Sequence, residues 1–138
     1  MDDVVLNKAA IIERCVRRVR EEYADEAGNL RENLTRQDSI ILNLQRACEA
    51  AIDLAMHVVR DRRLGIPQES RDAFELLRDA GLLSADLAER MMKMVGFRNI
   101  AVHDYRKLDL DIVRGIVTDH LGDFLEFSRT ILEQRAVS

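Results

Sequence analysis

The sequence predicts an all-α protein, an antiparallel up-and-down bundle of four long helices and one short helix. The first observation is composition: one proline, six glycines and no tryptophan leave few residues that break helices or favour strands. The second is that apolar residues recur at alternating spacings of three and four along most of the chain. The third is that short segments join these patterns, which favours antiparallel neighbours.

Length and charge narrow the class of protein further. The 138 residues fit one domain, 1–138, which buries roughly two-thirds of its unfolded surface. No apolar run approaches ~18 residues, and the N-terminus begins with Asp2-Asp3 rather than a basic region, so we expect no membrane span, no signal peptide and a cytoplasmic location. The net charge of -4 argues against a general nucleic-acid coat but allows a local basic cleft.

The first predicted helix is capped by Asp2 or Asp3 and ends near Gly28-Asn29. One apolar stripe runs along it: Val5, Ala9, Ile12, Val16, Val19 and Tyr23. The residues between form a mixed-sign face: Arg14, Arg17, Arg18, Arg20, Glu21 and Glu22. We interpret that face as solvated surface rather than an RNA track.

The second helix is predicted to begin at a capping box of Thr35 with Asp38 and to end near Leu64-Gly65, before Ile66-Pro67. Its inward face carries these residues: Ile41, Leu44, Cys48, Ala51, Ile52, Ala55, Val58 and Val59.

Two sets of side chains have metal-ligating chemistry, and we interpret neither as a metal site. Glu49, Asp53 and His57 share one stripe of the second helix, but one helix seldom supplies enough ligands. Cys15 and Cys48 lie on apolar faces without CxxC spacing, which indicates buried free thiols.

Three further helices complete the predicted bundle. A short helix runs from Ser70 to Ala80 and stops at Gly81, Ser84 caps the next long helix, and Asp109 caps the last. Their inward faces carry, in order: Phe74 and Leu77; Leu87, Met91, Met94 and Val95; and Val113, Val117, Leu121, Phe124, Phe127 or Ser128, and Ile131.

The stretch 96–107 departs from this pattern and carries the residues that we expect to perform the chemistry. Its polar side chains are Arg98, Asn99, His103, Asp104, Tyr105, Arg106 and Lys107. Arginine is a permanent, forked donor suited to phosphate oxygens, and histidine takes or gives a proton near neutral pH. Cleavage of an RNA backbone needs both kinds of group.

The arginine–histidine spacing alone is a weak pattern, because Arg114 also precedes His120 by six residues. On a helix that gap separates two side chains by about 120°. We interpret Arg114 as surface and His120 as partly packed at the helix edge.

Arg98 and His103 lie roughly 140° apart if their helix is unbroken. They converge if the helix ends or unwinds around Val102-His103, or if a twofold axis brings two copies of the segment together. The alternative is structural: Arg98 pairs with a buried carboxylate such as Asp53, and His103 only ends the helix.

The pattern Arg98-Asn99-x-x-x-His103-x-Tyr105 resembles the R-x4-6-H-x-Tyr signature of HepT-like toxins, members of the HEPN superfamily. Residues 43–53 look like that family's second helix, and residues 74–77, a later helix and residues 96–99 follow in the family's order. The resemblance implies a HEPN-like bundle that dimerises with two motifs lining one cleft and cleaves RNA without metal or cofactor. It also implies a cognate minimal nucleotidyltransferase antitoxin that adenylylates Tyr105.

The resemblance gives each motif residue a role. His103 is the general base on the ribose 2′-hydroxyl, and Arg98 holds the scissile phosphate. Asn99 orients His103 or a phosphate oxygen. Asp53 and Glu49 are the carboxylates that we expect to support the site.

Two other hypotheses stay open from the sequence. In one, the chain is a non-catalytic partner subunit of a nucleotidyltransferase, with Arg98 gripping a nucleotide phosphate. In the other it is a plain helical adaptor with a structural Arg98. Tyr105 has a structural interpretation too, as a half-buried aromatic with its hydroxyl in water.

Overall fold

The computed structural model describes residues 2–137, with side chains through residue 134, and contains no strand in that part of the chain. The α-helices are α1 (Asp3–Tyr23), α2 (Gly28–Arg31), α3 (Leu34–Asp61), α4 (Ser70–Asp79), α5 (Ala85–His103), α6 (Leu110–Gly115) and α7 (Leu121–Val137). A 3-10 turn, Tyr105–Lys107, separates α5 from α6, and a π-helical turn, Ile116–His120, joins α6 to α7.

The four long helices α1, α3, α5 and α7 run alternately up and down, which confirms the predicted bundle. Lys8 near the start of α1 pairs with Asp53 towards the end of α3 at 3.1 Å. Gln134 late in α7 donates to the carbonyl of Leu82, just before α5, at 2.6 Å. The short helix α4 packs against both α3 and α5. Within residues 2–137, no helix is both long and apolar enough to cross a membrane.

One continuous core fills the bundle, and every predicted apolar stripe contributes to it. Phe74 of α4 meets Phe127 of α7 edge to face, with ring centroids 5.5 Å apart, so the short helix is anchored in the same core. Cys15 and Cys48 are buried free thiols, as predicted.

The connection after α1 differs from the prediction. α1 ends at Tyr23, because Ala24 and Asp25 adopt left-handed backbone angles, with φ of 49° and 53°. Gly28 was predicted to end the first helix, and instead it begins the short helix α2. The prediction was wrong because it assumed that a glycine would supply the left-handed residue.

The predicted capping box at the start of α3 is also wrong. The Asn33 side chain caps this helix by accepting from the Arg36 N–H at 3.1 Å, so the helix begins at Leu34. α3 ends at Asp61, earlier than expected, and Arg63 then takes a left-handed conformation. Asp38 therefore does not cap α3.

The other predicted caps are confirmed. Asp2 accepts from the Val4 N–H at 2.9 Å, Ser84 from the Leu87 N–H at 3.1 Å and Asp109 from the Asp111 N–H at 2.8 Å. Each satisfies a backbone donor that the first helical turn leaves without a partner.

Candidate active site

The motif lies on an intact helix. α5 continues through His103 and ends at Asp104, whose N–H donates to the Ile100 carbonyl at 2.8 Å. The helix therefore does not unwind between Arg98 and His103, which stay roughly 140° apart around its axis. Convergence by unwinding of the helix is therefore excluded, which leaves a twofold axis between two copies as the other predicted route.

Arg98 is partly buried and is held by neutral groups. Its Nε donates to Asn99 Oδ1 at 3.0 Å, and its Nη2 donates to Ser70 Oγ at 3.1 Å. Among the described residues it makes no ion pair. The predicted alternative, a structural pair with Asp53, is wrong because Asp53 is exposed and pairs with Lys8. The charge of Arg98 is therefore positioned but not neutralised.

The start of α4 contacts α5 on either side of Gly96. Arg71, at the start of α4, donates to the Met92 carbonyl of α5 at 3.3 Å. A Cβ on Gly96 would lie 2.8 Å from Arg71 Nη2, the end of that exposed side chain. Gly96 therefore leaves room for the Arg71 guanidinium beside Ser70, which bonds to Arg98.

Asn99 links the arginine to the face that carries the histidine. Asn99 and His103 are four residues apart, so they share one face of α5, and both are exposed. Since Asn99 Oδ1 accepts from Arg98, its amide group bridges the two faces. His103 makes no hydrogen bond to any described residue, and its imidazole is free to meet a substrate.

Tyr105 opens the 3-10 turn and points its hydroxyl at α3. The hydroxyl donates to Asp38 Oδ1 at 2.7 Å, while the side chain stays exposed. Burial of the phenol and the neighbouring Asp38 carboxylate, through its hydrogen bond and its charge, raise the pKa of Tyr105 to about 12. The expectation that this hydroxyl faces only water was incomplete, because its partner lies 67 residues away.

The predicted supporting carboxylates have other partners. Glu49 accepts from Gln45 at 2.8 Å, and Asp53 pairs with Lys8. His57, on the same stripe, contacts Asp2. In residues 2–137, no group of three potential ligands is arranged to hold a metal ion. The stripe therefore ties α3 to its neighbours, and neither carboxylate is bonded to Arg98.

The second arginine–histidine pair, Arg114 and His120, lies on two different elements. Arg114 is exposed on α6, and His120 ends the π-helical turn with its Nδ1 2.9 Å from Asp123 Oδ2. The buried Asp123 also contacts Arg90. His120 is thus half-exposed and tied to a carboxylate, unlike His103.

Sequence reasoning missed two residues of the site, Ser70 and Asp38. Ser70 was noticed only as the start of the short helix and Asp38 only as part of a capping box, since a partner across the bundle leaves no spacing signal in the sequence. Ser70 bonds to Arg98 and Asp38 to Tyr105, so each ties the motif to a different helix.

Comparisons with known proteins match this chain to one family. The family model described as Ribonuclease HepT-like matches residues 12–131. The mRNA nuclease HepT of Shewanella oneidensis is 51% identical over 127 residues, 92% of this chain and 95% of that protein. The solved structure of a tri-AMPylated Shewanella oneidensis HEPN toxin in complex with an MNT antitoxin superposes with a TM-score of 0.91 at 49% identity, covering 96% and 99% of the two chains.

A second solved structure, a toxin–antitoxin with AMP-PNP, matches with a TM-score of 0.91 at 48% identity, again over 96% and 99% of the two chains. The family match covers most of the helical bundle and includes the whole 96–107 stretch. The chain belongs to the ribonuclease HepT-like family.

Proposed function

We propose that the chain is the toxin of a toxin–antitoxin pair, an endoribonuclease that cuts RNA with Arg98 and His103. The observation that supports this most is the state of Arg98, a partly buried cation that Asn99 and Ser70 hold in place and that pairs with no carboxylate among the described residues. Such a group is prepared for a phosphate oxygen. The relative named mRNA nuclease HepT supports the same activity. We place the activity in the cytoplasm, where RNA and ATP occur together.

The chemistry is an internal phosphoryl transfer. His103 takes the proton of a ribose 2′-hydroxyl, whose oxygen attacks the adjacent phosphorus. The bond from phosphorus to the 5′-oxygen breaks, and that oxygen leaves with a proton. Arg98 stabilises the negative charge that develops on the phosphate oxygens. The products are a 2′,3′-cyclic phosphate and a 5′-hydroxyl.

Two copies of the chain supply the complete site. Because α5 keeps Arg98 and His103 on different faces, an arginine of one copy and a histidine of the other meet across a twofold axis. The second His103 then serves as the acid that protonates the leaving 5′-oxygen. The exposed side chains Ile100 and Val102, beside the motif, offer apolar surface for that contact.

The direct test uses the purified chain and a labelled RNA in the presence of EDTA. We expect cleavage to persist and the products to carry 2′,3′-cyclic phosphate ends. Arg98→Ala removes the phosphate clamp and should abolish cleavage, whereas Arg114→Ala should not. Loss of cleavage on chelation, or 3′-hydroxyl ends, would reject this mechanism. An inert chain that still binds its partner would identify a binding subunit.

The antitoxin controls the site through Tyr105. The tyrosine oxygen attacks the α-phosphorus of ATP, pyrophosphate leaves, and the hydroxyl proton is released. An esterified oxygen can no longer donate to Asp38, and the added phosphate brings negative charge beside the motif. The AMPylated toxin and the AMP-PNP complex among the solved relatives support this assignment.

Incubation of the chain with its antitoxin and ATP tests the modification. Intact-mass spectrometry should show one or more AMP increments, and peptide mapping should place them on Tyr105. Tyr105→Phe should remain unmodified and stay toxic when both partners are expressed. Modification at another residue would contradict the assignment of Tyr105.

A further inference from the structure

A basic groove lies between α1 and α3, next to the Tyr105 hydroxyl. It has a volume of about 450 Å³, and arginines from both helices line it: Arg14, Arg18 and Arg46. The sequence interpretation of the α1 arginines as solvated surface missed this groove, because Arg46 comes from the other helix.

The positive charge of the groove is largely uncompensated. Arg14 and Arg46 form no ion pair with any described residue, and Arg18 makes only long contacts to Glu21 and Glu22, at 3.4 and 3.6 Å. Asp38 is the single carboxylate in the lining, and it accepts a hydrogen bond from Tyr105. Two guanidinium groups without an ion pair among the described residues, those of Arg14 and Arg46, therefore share the lining with one carboxylate.

Arg14 and Arg46 belong to different helices and line the same groove, Arg14 from α1 and Arg46 from α3. Burial raises the pKa of the Cys15 thiol, and the positive charges of Arg14 and Arg46 oppose that rise. Two cations brought together from separate helices repel each other, and an anion placed between them relieves that repulsion.

The remaining lining suits a nucleotide. Leu42 is 42% exposed and gives the groove an apolar surface on which a base can rest. Asn43, which also lines the groove, donates its amide to the Ser39 carbonyl at 2.8 Å, so its side-chain oxygen is left to accept a hydrogen bond. Guanidinium groups bind phosphates and also stack on bases.

We propose that Arg14, Arg18 and Arg46 form a binding site for phosphodiester-linked nucleotides that pass Tyr105. The inference rests on the proposed function, which brings two such chains to this place: the RNA strand before modification and the AMP added to Tyr105 afterwards. Asp38 is the link, since its carboxylate lines the groove and holds the tyrosine hydroxyl at 2.7 Å. Atoms attached to that hydroxyl oxygen therefore begin at the edge of the groove.

The first arm of the test measures RNA binding. The full chain carrying His103→Ala leaves a labelled single-stranded RNA uncut, and fluorescence anisotropy gives its Kd at several salt concentrations. Adding Arg14→Gln and Arg46→Gln should weaken binding about tenfold and make the log–log salt dependence shallower by about 1.4. The matched control is Arg17→Gln with Arg60→Gln, one exposed arginine from each of the same helices outside the groove.

The second arm follows the added AMP. Phosphorus NMR of the chain adenylylated on Tyr105 should show a resonance displaced from its position in urea. In the Arg14→Gln/Arg46→Gln chain the resonance should move to the urea position, and in the control chain it should not.

A change in the first arm alone identifies the RNA strand as the occupant, and a change in the second alone identifies the AMP. Groove variants that match the control in both arms overturn the proposal. Failure of the proposed function looks different, because the unsubstituted chain would then cut no RNA. If that chain cuts, the groove variants should raise KM about tenfold with little change in kcat.

Discussion

Arg98 depends on the fork of its guanidinium, because two different nitrogens bind Asn99 and Ser70 while the charge stays available. Arg98→Lys keeps the charge but cannot make both bonds and also contact a phosphate. We expect kcat/KM for RNA cleavage to fall about 100-fold, with the free energy of unfolding little changed. Arg114→Lys, on an exposed arginine outside the site, is the control. Equal activity of the Arg98→Lys variant and the wild-type protein would show that Arg98 serves only as a point charge.

Tyr105 and Asp38 form the contact between the motif and α3. The raised pKa of Tyr105, about 12, exceeds the ordinary value of about 10, so folding favours the protonated phenol. Its contribution to stability is complete below about pH 10 and disappears as the pH rises through about 12.

Asp38→Asn removes the negative charge that favours the protonated phenol, and the pKa of Tyr105 should fall towards its ordinary value. Phenolate absorbance, taken as a difference from Tyr105→Phe, measures this titration. An unchanged pKa in Asp38→Asn would assign the whole shift to burial, the larger cause.

At the scale of whole helices, α4 helps to position Arg98, because it contacts α5 near Gly96 and its first residue, Ser70, bonds to Arg98. Gly96→Ala displaces Arg71 Nη2 and weakens the hold of Arg71 on α5, next to Ser70, which bonds to Arg98. Because alanine also favours the helix by about 0.5–1 kcal/mol, stability should hardly change. We expect cleavage to fall severalfold at an almost constant Tm.

Gly122→Ala is the matched control for that substitution, since a Cβ there meets nothing within 4 Å. It should raise stability by about 0.5–1 kcal/mol and leave cleavage unchanged. If both alanine variants cut RNA at the wild-type rate, the contact between α4 and α5 does not position Arg98.

The helices were predictable because burial of an apolar face imposes a repeat that the sequence displays directly. The caps Ser84 and Asp109 were predictable for a similar local reason. The choice between Asn33 and Thr35 as the cap of α3 was not, because both residues have a suitable oxygen and the backbone decides. Partners that meet across the bundle, such as Ser70 with Arg98, leave no trace in local spacing.

For the whole molecule, the proposed site combines residues of two chains, because the intact α5 keeps Arg98 and His103 on different faces. Arg98→Ala and His103→Ala chains are each expected to be inactive alone, and a mixture of the two contains mixed dimers. In a mixed dimer one copy keeps His103 and the other copy keeps Arg98. If the two residues act across the twofold axis, mixing after mild dissociation should restore about a quarter of the wild-type rate or less. Arg98→Ala mixed with Arg98→Ala/His103→Ala is the control, and it should stay inactive. No recovery in the first mixture would indicate that each site takes both residues from one chain or that it needs both copies of His103.

Single-turnover cleavage of one RNA by His103→Ala and His120→Ala tests most directly whether His103 is the general base. The two substitutions remove the same side chain, once from the exposed end of α5 and once from the His120–Asp123 contact. We expect His103→Ala to lose cleavage by at least about 100-fold, while His120→Ala cuts at nearly the wild-type rate. Undiminished cutting by a well-folded His103→Ala chain would contradict this role of His103.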